Sequence, residues 1–171
     1  MAVNQFNLAQ HQRAERKLLM TVAEWTEGTT QERELLGRRT EDSSIEYNAD
    51  QSTSTDILGI NYTDINKTQP QQDFDPYLIL GGSKLGAKLN DIRKRNALSE
   101  LSQFTIYIIT GYVGNSTDGY EAEKHVNCTI SYNSLGGDAN VNMPISVYLS
   151  NDITNGTVNK LADDFAFTPN V

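Results

Sequence analysis

The run from Lys124 to Ser150 most constrains what this chain can fold into. Val126, Cys128, Ile130 and Tyr132 alternate with His125, Asn127, Thr129, Ser131 and Asn133. Further on, Val141, Met143, Ile145, Val147 and Leu149 alternate with Asn142, Pro144, Ser146, Tyr148 and Ser150. Successive strand side chains point to opposite faces, so the pattern predicts two strands, each with one buried face. Gly136 and Gly137, inside Ser134-Leu135-Gly136-Gly137-Asp138-Ala139-Asn140, supply the positive φ a turn needs. The run therefore predicts a long antiparallel hairpin, with arms of about ten residues spanning ~34 Å. Such a hairpin needs a second layer over its apolar face and pairing or shielding at its edges. Pro144 cannot donate a ladder hydrogen bond, which puts the second arm at an edge or a bulge.

At 171 residues the chain has room for one domain with a real core. Hydrophobic residues are only 37% of it, but they fall in alternating blocks, which argues against general disorder. No apolar run approaches the ~18 residues of a membrane span, so no membrane partner is expected. The opening Met1-Ala2-Val3-Asn4-Gln5-Phe6 has no basic stretch leading into an apolar one, so no secretory leader is expected. Cys128 is the only cysteine, which rules out an internal disulfide and suits a reducing cytoplasm. Its place on the apolar face predicts a packed, slow thiol.

The net charge is −8, distributed unevenly. Residues 41–83 hold eight acids against Lys67 alone. Residues 84–96 reverse the sign, with Lys84, Lys88, Arg93, Lys94 and Arg95 against Asp91. Residues 97–171 return to eight acids against Lys124 and Lys160. So acidic a chain lacks the cations that bind phosphates through counterion release. The basic island reads either as an inter-subunit patch that meets acids on another copy or as a solvated helix face.

In chain order, residues 1–12 have no clear period and read as an extended arm. Lys17–Trp25 reads as a strand, with Leu18, Met20 and Val22 on one face and Leu19, Ala23 and Trp25 on the other. A turn at Glu27–Thr30 leads to a short strand at Glu34–Leu36. Ser44–Ala49 reads as another, with Ile45 and Tyr47 inward. Thr53–Ile65 reads as one strand with a bulge at Gly59. Pro70 and Pro76 make Asn66–Pro76 a loop or connector. Ser83 caps a helix over about 84–96, where Leu85, Leu89 and Ile92 form one apolar stripe. Phe104–Val113 is apolar on both faces and therefore central. Gly114–Gly119 and Asn151–Gly156 read as turns, and Thr157–Phe167 as a last strand. The fold class is mainly β: an antiparallel β-sandwich or barrel with one flanking α-helix, an extended N-terminal arm and a connector loop.

Site chemistry is sparse. Gly81-Gly82-Ser83-Lys84-Leu85-Gly86-Ala87-Lys88 places Ala87 where a phosphate loop needs lysine and Lys88 where it needs Ser or Thr. His11, His125 and Cys128 give no zinc spacing, and His125 reads as an ordinary exposed histidine. No paired carboxylates sit in an apolar context. No catalytic, cofactor or metal residue is nominated, and an enzyme is not expected.

The order of elements carries a resemblance. A loose arm leads into Arg16-Lys17-Leu18-Leu19-Met20, then Ile45-Glu46-Tyr47-Asn48-Ala49-Asp50 and a polar connector ending in Asp75-Pro76-Tyr77. The helix with Asp91-Ile92-Arg93-Lys94-Arg95-Asn96, the strand Phe104-Thr105-Ile106-Tyr107-Ile108-Ile109 and the hairpin from Val126 follow. Over roughly residues 16–150 this resembles the major tail, or tail tube, protein of long-tailed phages with non-contractile tails. The resemblance implies a residue 13–167 tail-tube β-sandwich domain between a 1–12 arm and a 168–171 tail. It implies hexameric rings that stack into a virion tail tube, assembled in the bacterial host cytoplasm. DNA would pass without specific binding, and the tape measure, tail terminator and distal tail proteins would be partners. Glu46, Asp50, Asp56 and Asp64 are then candidates to face the lumen, and Phe6 and Leu8 to anchor a ring-stacking arm. The alternatives are the inner tube of a contractile tail, phage-tail-like bacteriocin or type VI secretion device, and, more distantly, a ligand-binding β-sandwich module.

Overall fold

The computed structural model describes residues 6–170. Its strands are β1 (Leu19–Glu27), β2 (Thr30–Leu35), β3 (Ile45–Glu46), β4 (Asp50–Thr55), β5 (Asn61–Lys67) and β6 (Gln71–Phe74). After the helix α1 (Lys84–Arg95) come β7 (Phe104–Asn115), β8 (Gly119–Tyr132), β9 (Ile145–Tyr148), β10 (Ile153–Val158) and β11 (Phe167–Pro169). Nine strands form one antiparallel sheet in the order β2-β1-β7-β8-β9-β6-β3, with β10 and then β11 added along β8. β4 and β5 pair only with each other.

β8 divides the sheet into two halves. Residues Tyr120 to His125 pair with β7 on one side and β10 on the other, whereas Thr129 to Tyr132 pair with β9. Between them β8 carries one extra residue, since Phe104 pairs with Cys128 but Ile106 pairs with His125. Asn127, at φ 56°, takes the left-handed conformation this bulge requires. Both halves and α1 contribute to one core that includes Trp25, Phe104, Ile106, Cys128, Ile130, Ile145, Val147, Leu85, Leu89 and Ile92. A second core lies on the other face of the β1-β7-β8 half. There the chain after β10 folds back so that Phe165 covers Val22, Tyr107, Ile109, Ala122 and Val158.

The helix matches its sequence pattern. The Ser83 hydroxyl accepts the Gly86 N–H at 3.0 Å, and Asn96 closes the helix at φ 53°. Leu85, Leu89 and Ile92 are completely buried. β7 is central, flanked by β1 and β8 and packed on both faces.

Several expectations are corrected. The Lys124–Ser150 hairpin is real, but its second arm is only Ile145–Tyr148, because Asn133–Pro144 forms a long irregular link. His125 is not on a solvated face. The bulge reverses the alternation, so His125 is 3% exposed and Val126 half-buried. Tyr47 is exposed because β3 ends at Glu46. Thr53–Ile65 is two strands around a turn, with Gly59 in that turn rather than in a bulge. Asn66–Pro76 contains β6, whose Gln72 and Phe74 reach the interior. Asn151–Gly156 is largely β10, and Thr157–Phe167 mostly crosses the second core as irregular chain.

The completely buried Leu89 side chain belongs to the core that α1 shares with the sheet. Leu89→Ala leaves a cavity and should cost ~2–5 kcal/mol. Denaturant unfolding should show a lower midpoint at unchanged slope.

Candidate assembly surface

The β4–β5 hairpin stands outside both cores, and every residue in its two strands is exposed. Its register pairs Thr53 with Thr63 and Thr55 with Asn61, whose side chains meet at 3.5 and 2.7 Å. The tip is built around Asp56. Its Oδ1 accepts the N–H groups of Leu58 and Ile60 at 2.8 and 2.9 Å, and its Oδ2 accepts the Tyr62 hydroxyl at 3.1 Å. The Ile60 N–H, aided by Leu58 and Tyr62, holds the Asp56 carboxyl below the ordinary carboxylate range. This turn presents Ile57, which is fully exposed, and Leu58, which is 78% exposed, with Ile60, Tyr62 and Ile65 exposed behind them. Exposed apolar side chains gathered at one tip, Ile57, Leu58 and Ile60, mark a place where another molecule packs.

The four acids assigned to a lumen do not share one element. Glu46 lies on β3, while Asp50, Asp56 and Asp64 all lie on the hairpin, where Asp50 faces Lys67 and Asp56 serves its turn. Glu46 instead belongs to a polar face on the β8-β9-β6-β3 half. Directly opposed residues share a side. One row across this face is Thr129, Tyr148, Gln71 and Glu46, and the next is Ser131, Ser146 and Asp73. These two rows contain two acids and no base. The β6 part of this face, Gln71 and Asp73, is hidden in the sequence because β6 lies between two prolines.

The basic island is largely neutralised within the chain. Lys84 pairs with Glu32, and Lys88 bridges Glu27 and Glu100 at 3.1 and 3.0 Å. Arg95 pairs with Asp91 at 2.7 Å and Glu100 at 2.9 Å, and Arg95 with Lys88 pulls the Glu100 carboxyl down to about 2. Arg93 reaches Asn90 at 3.0 Å, and Lys94 makes no ion pair among the described residues. Only these last two keep charge available for another copy.

Of the arm residues, Phe6 bridges to Val113 and its ring lies 5.7 Å from that of Tyr112. The Asn7 N–H donates to the Tyr112 carbonyl at 3.0 Å, and its side chain donates to Gly111 and Gly114. The arm thus lies along the irregular end of β7, with Phe6 61% exposed and Leu8 half-buried. Residues 1–5 of the predicted arm lie outside the described residues.

The start of α1 is already filled by a carboxylate. Glu34 accepts the Leu85 N–H at 2.9 Å through Oε2, and the Tyr77 and Ser83 hydroxyls at 3.0 and 2.9 Å through Oε1. That is where a phosphate would dock on a helix N-terminus, so the phosphate-loop reading fails on geometry as well as on spacing. Among the described residues no three His, Cys, Asp or Glu side chains cluster to hold a metal, and no helix is long and apolar enough to cross a membrane.

No family model matches the sequence, and no curated protein matches it. Among solved structures, a chain of the anti-feeding prophage cap, the AFP tube-terminating cap, is similar at 14% identity and TM-score 0.52. The alignment covers 92% of this chain and 99% of that one. A chain of an extracellular contractile injection system, the PVC sheath-tube complex in its extended state, aligns at 14% identity and TM-score 0.47, covering 81% and 88%. A chain of the AFP baseplate aligns at 9% identity and TM-score 0.46, covering 86% and 97%. The cap chain and this chain share a fold, and the likeness does not single out non-contractile tails.

Cys128 is 1% exposed, and burial pushes its thiol above the ordinary value. Thiol labelling of native protein should run far slower than labelling in urea.

Proposed function

We propose that this protein is a self-assembling structural subunit of a phage-tail-like injection apparatus of contractile type. Copies close into hexameric rings, and rings stack into a tube. The observation that carries this reading is the β4–β5 hairpin, a solvent-surrounded element that presents Ile57, Leu58 and Ile60 from a domain whose own cores are already closed. A heterologous contact of this kind propagates along an axis instead of stopping at a dimer. The whole-length fold likeness to a tube-terminating cap supports it. The polar face of Thr129, Ser131, Tyr148, Gln71, Asp73 and Glu46 is suited to line the bore, where a cargo must slide without sticking. Other tail proteins at the tube ends complete the partner set, and the assembled particle is the site of action.

The same likeness favours a second reading, in which the protein is itself a terminating ring. Micrographs of concentrated protein separate the two: stacked tubes support the first, and single rings at every concentration the second. A sheath gene beside this one distinguishes a contractile tail from the non-contractile phage tail, which ejects DNA.

Leu58→Asp should leave thermal unfolding of the subunit within about 0.5 kcal/mol, as for an exposed site. It should also abolish stacking, read by sedimentation and micrographs. Tubes of normal length from this variant would remove the hairpin from the interface. Glu46→Lys should assemble normally but give tubes that retain DNA at low salt, because each ring adds cations to a bore of polar groups. Equal retention by wild-type and variant tubes would take Glu46 out of the bore.

A further inference from the structure

The extra residue at Asn127 is clamped by the loop after β9. The Val126 N–H donates to the Asp152 carbonyl at 3.2 Å, the Ser150 N–H to Cys128 Sγ at 3.4 Å, and the Ser150 hydroxyl to the Val126 carbonyl. The same loop seats the exposed hairpin. The Leu149 N–H donates to the Pro70 carbonyl at 2.9 Å. Beside it, the Gln69 N–H donates to Tyr47 at 2.8 Å and the Asn48 side chain to Gln69 at 3.1 Å, which closes the root of β4 and β5.

His125 sits where these contacts meet. Its Nδ1 lies 3.0 Å from the Ser150 carbonyl oxygen and its Nε2 lies 3.2 Å from Glu123 Oε2. A carbonyl only accepts, and so does an ionised carboxylate. A neutral imidazole has one N–H to give, so the ring satisfies both acceptors only as imidazolium. Without the second proton, one ring lone pair faces an oxygen lone pair in a site that is 3% exposed.

We infer that His125 is a proton-dependent latch, which as imidazolium ties β8 to the Ser150 loop and fixes the hairpin root, and which lets that root loosen when it loses its proton. The consequence for ring stacking rests on the tube reading above. The latch itself does not.

Glu123, 44% exposed, is the charged group on the ring. β7 presents Ile106 opposite it, and β10 presents Ile153. Asp152 is exposed and meets the bulge through its main-chain carbonyl, and the Cys128 thiol donates to the His125 carbonyl at 3.5 Å. Lys124 faces the other side, 5.9 Å from the centre of the Tyr107 ring. Burial works against the imidazolium, but Glu123 and the Ser150 carbonyl outweigh it and hold His125 above its ordinary 6.5. His125 in turn holds the Glu123 carboxyl below its ordinary value. A raised histidine stabilises fully below its unfolded pKa, and that stability is lost as pH rises through the folded one. A lowered carboxylate contributes above its unfolded value and loses this as pH falls through the folded one. The latch is therefore closed between the lowered Glu123 pKa and the raised His125 pKa.

The test is NMR on the full chain across pH, following the His125 ring and the amide protection of Val126, Leu149, Ser150 and Gln69. The expected result is a ring that titrates above 6.5, the ordinary value, with protection of all four amides falling through that titration. Glu123→Gln supplies an amide that can donate to a neutral Nε2, so protection in this variant should stay level. His125→Gln should lower Ser150 protection at every pH and remove the step. Wild-type protection that stays flat through the ring titration overturns the latch, as does an equal fall in Glu123→Gln. These readouts use single subunits. A protein that shows the step but never forms tubes would refute the tube reading alone, and tubes together with flat protection would refute the latch alone.

Discussion

The fold depends on one extra residue in β8. Without it, a strand from Gly119 to Tyr132 would keep one parity throughout, and Cys128 and Ile130 would face away from Ile106. The bulge at Val126 and Asn127 restores Cys128 to the side of Phe104 and lets the same strand leave β7 for β9. One strand thereby serves both halves, and a single core joins them to α1. The cost is local. Asn127 accepts a left-handed backbone, and the neighbouring groups take their hydrogen bonds from the loop after β9 rather than from the ladder.

Charge is spent mostly on closing the subunit. Glu24, 5% exposed, is met by Arg33 at 2.5 Å, and Arg33 also donates to the Phe165 carbonyl at 2.6 Å while lying 4.4 Å from the Phe165 ring centre. This clasp fastens the crossing chain over the second core. Burial, and after it the Glu24 carboxylate, raises the Tyr107 phenol to about 12 against the opposing charge of Arg33. Lys84, Lys88 and Arg95 hold α1 to β1, β2 and the turn at Leu98–Ser102 in the same way. The more exposed of these pairs, such as Lys84–Glu32 and Arg95–Asp91, contribute ~0–1 kcal/mol each, so they set register and orientation more than stability. With these cations committed, the conspicuous unsatisfied surface among the described residues is apolar: the hairpin tip.

What the sequence disclosed follows the length and regularity of each element. The stripe Leu85, Leu89, Ile92 and the doubly apolar Phe104–Val113 read correctly because tertiary context only reinforced their local period. The β4–β5 hairpin reads as one strand because Leu58, Ile60 and Tyr62 alternate straight through the turn. The Asp56 side chain makes that turn, and only a search for Asp-x-x-Gly between strand-like runs would have flagged it. β6 is masked by Pro70 and Pro76, although Gln72 and Phe74 are interior. Period-two alternation puts His125 on the wrong face because it does not register an inserted residue, and the positive φ of a single Asn has a weak sequence signature. The cation island was visible as composition, but its pairing with Glu27, Glu32 and Glu100 depends on tertiary contacts that no spacing reports.

An exposed apolar tip raises the question of why the free subunit would stay soluble. Burying Ile57 or Leu58 is worth ~1.5–3 kcal/mol each. Bringing two proteins together costs an estimated ~4–15 kcal/mol in lost freedom, so one tip in one receptor is a weak contact. Closing copies into a ring changes the balance, because after the first tip docks the others meet their receptors at high effective concentration. The proposed assembly then advances ring by ring while isolated subunits remain apart, and the subunit's net charge of −8 adds repulsion that a single hairpin contact does not overcome. Such a contact also depends strongly on how firmly the hairpin is held at its root, because a mobile arm must be ordered on docking at ~1–2 kcal/mol per residue. The hydrogen bonds at Tyr47, Asn48, Gln69 and Pro70, fixed in turn by the loop that clamps the β8 bulge, are what keep that ordering cost low.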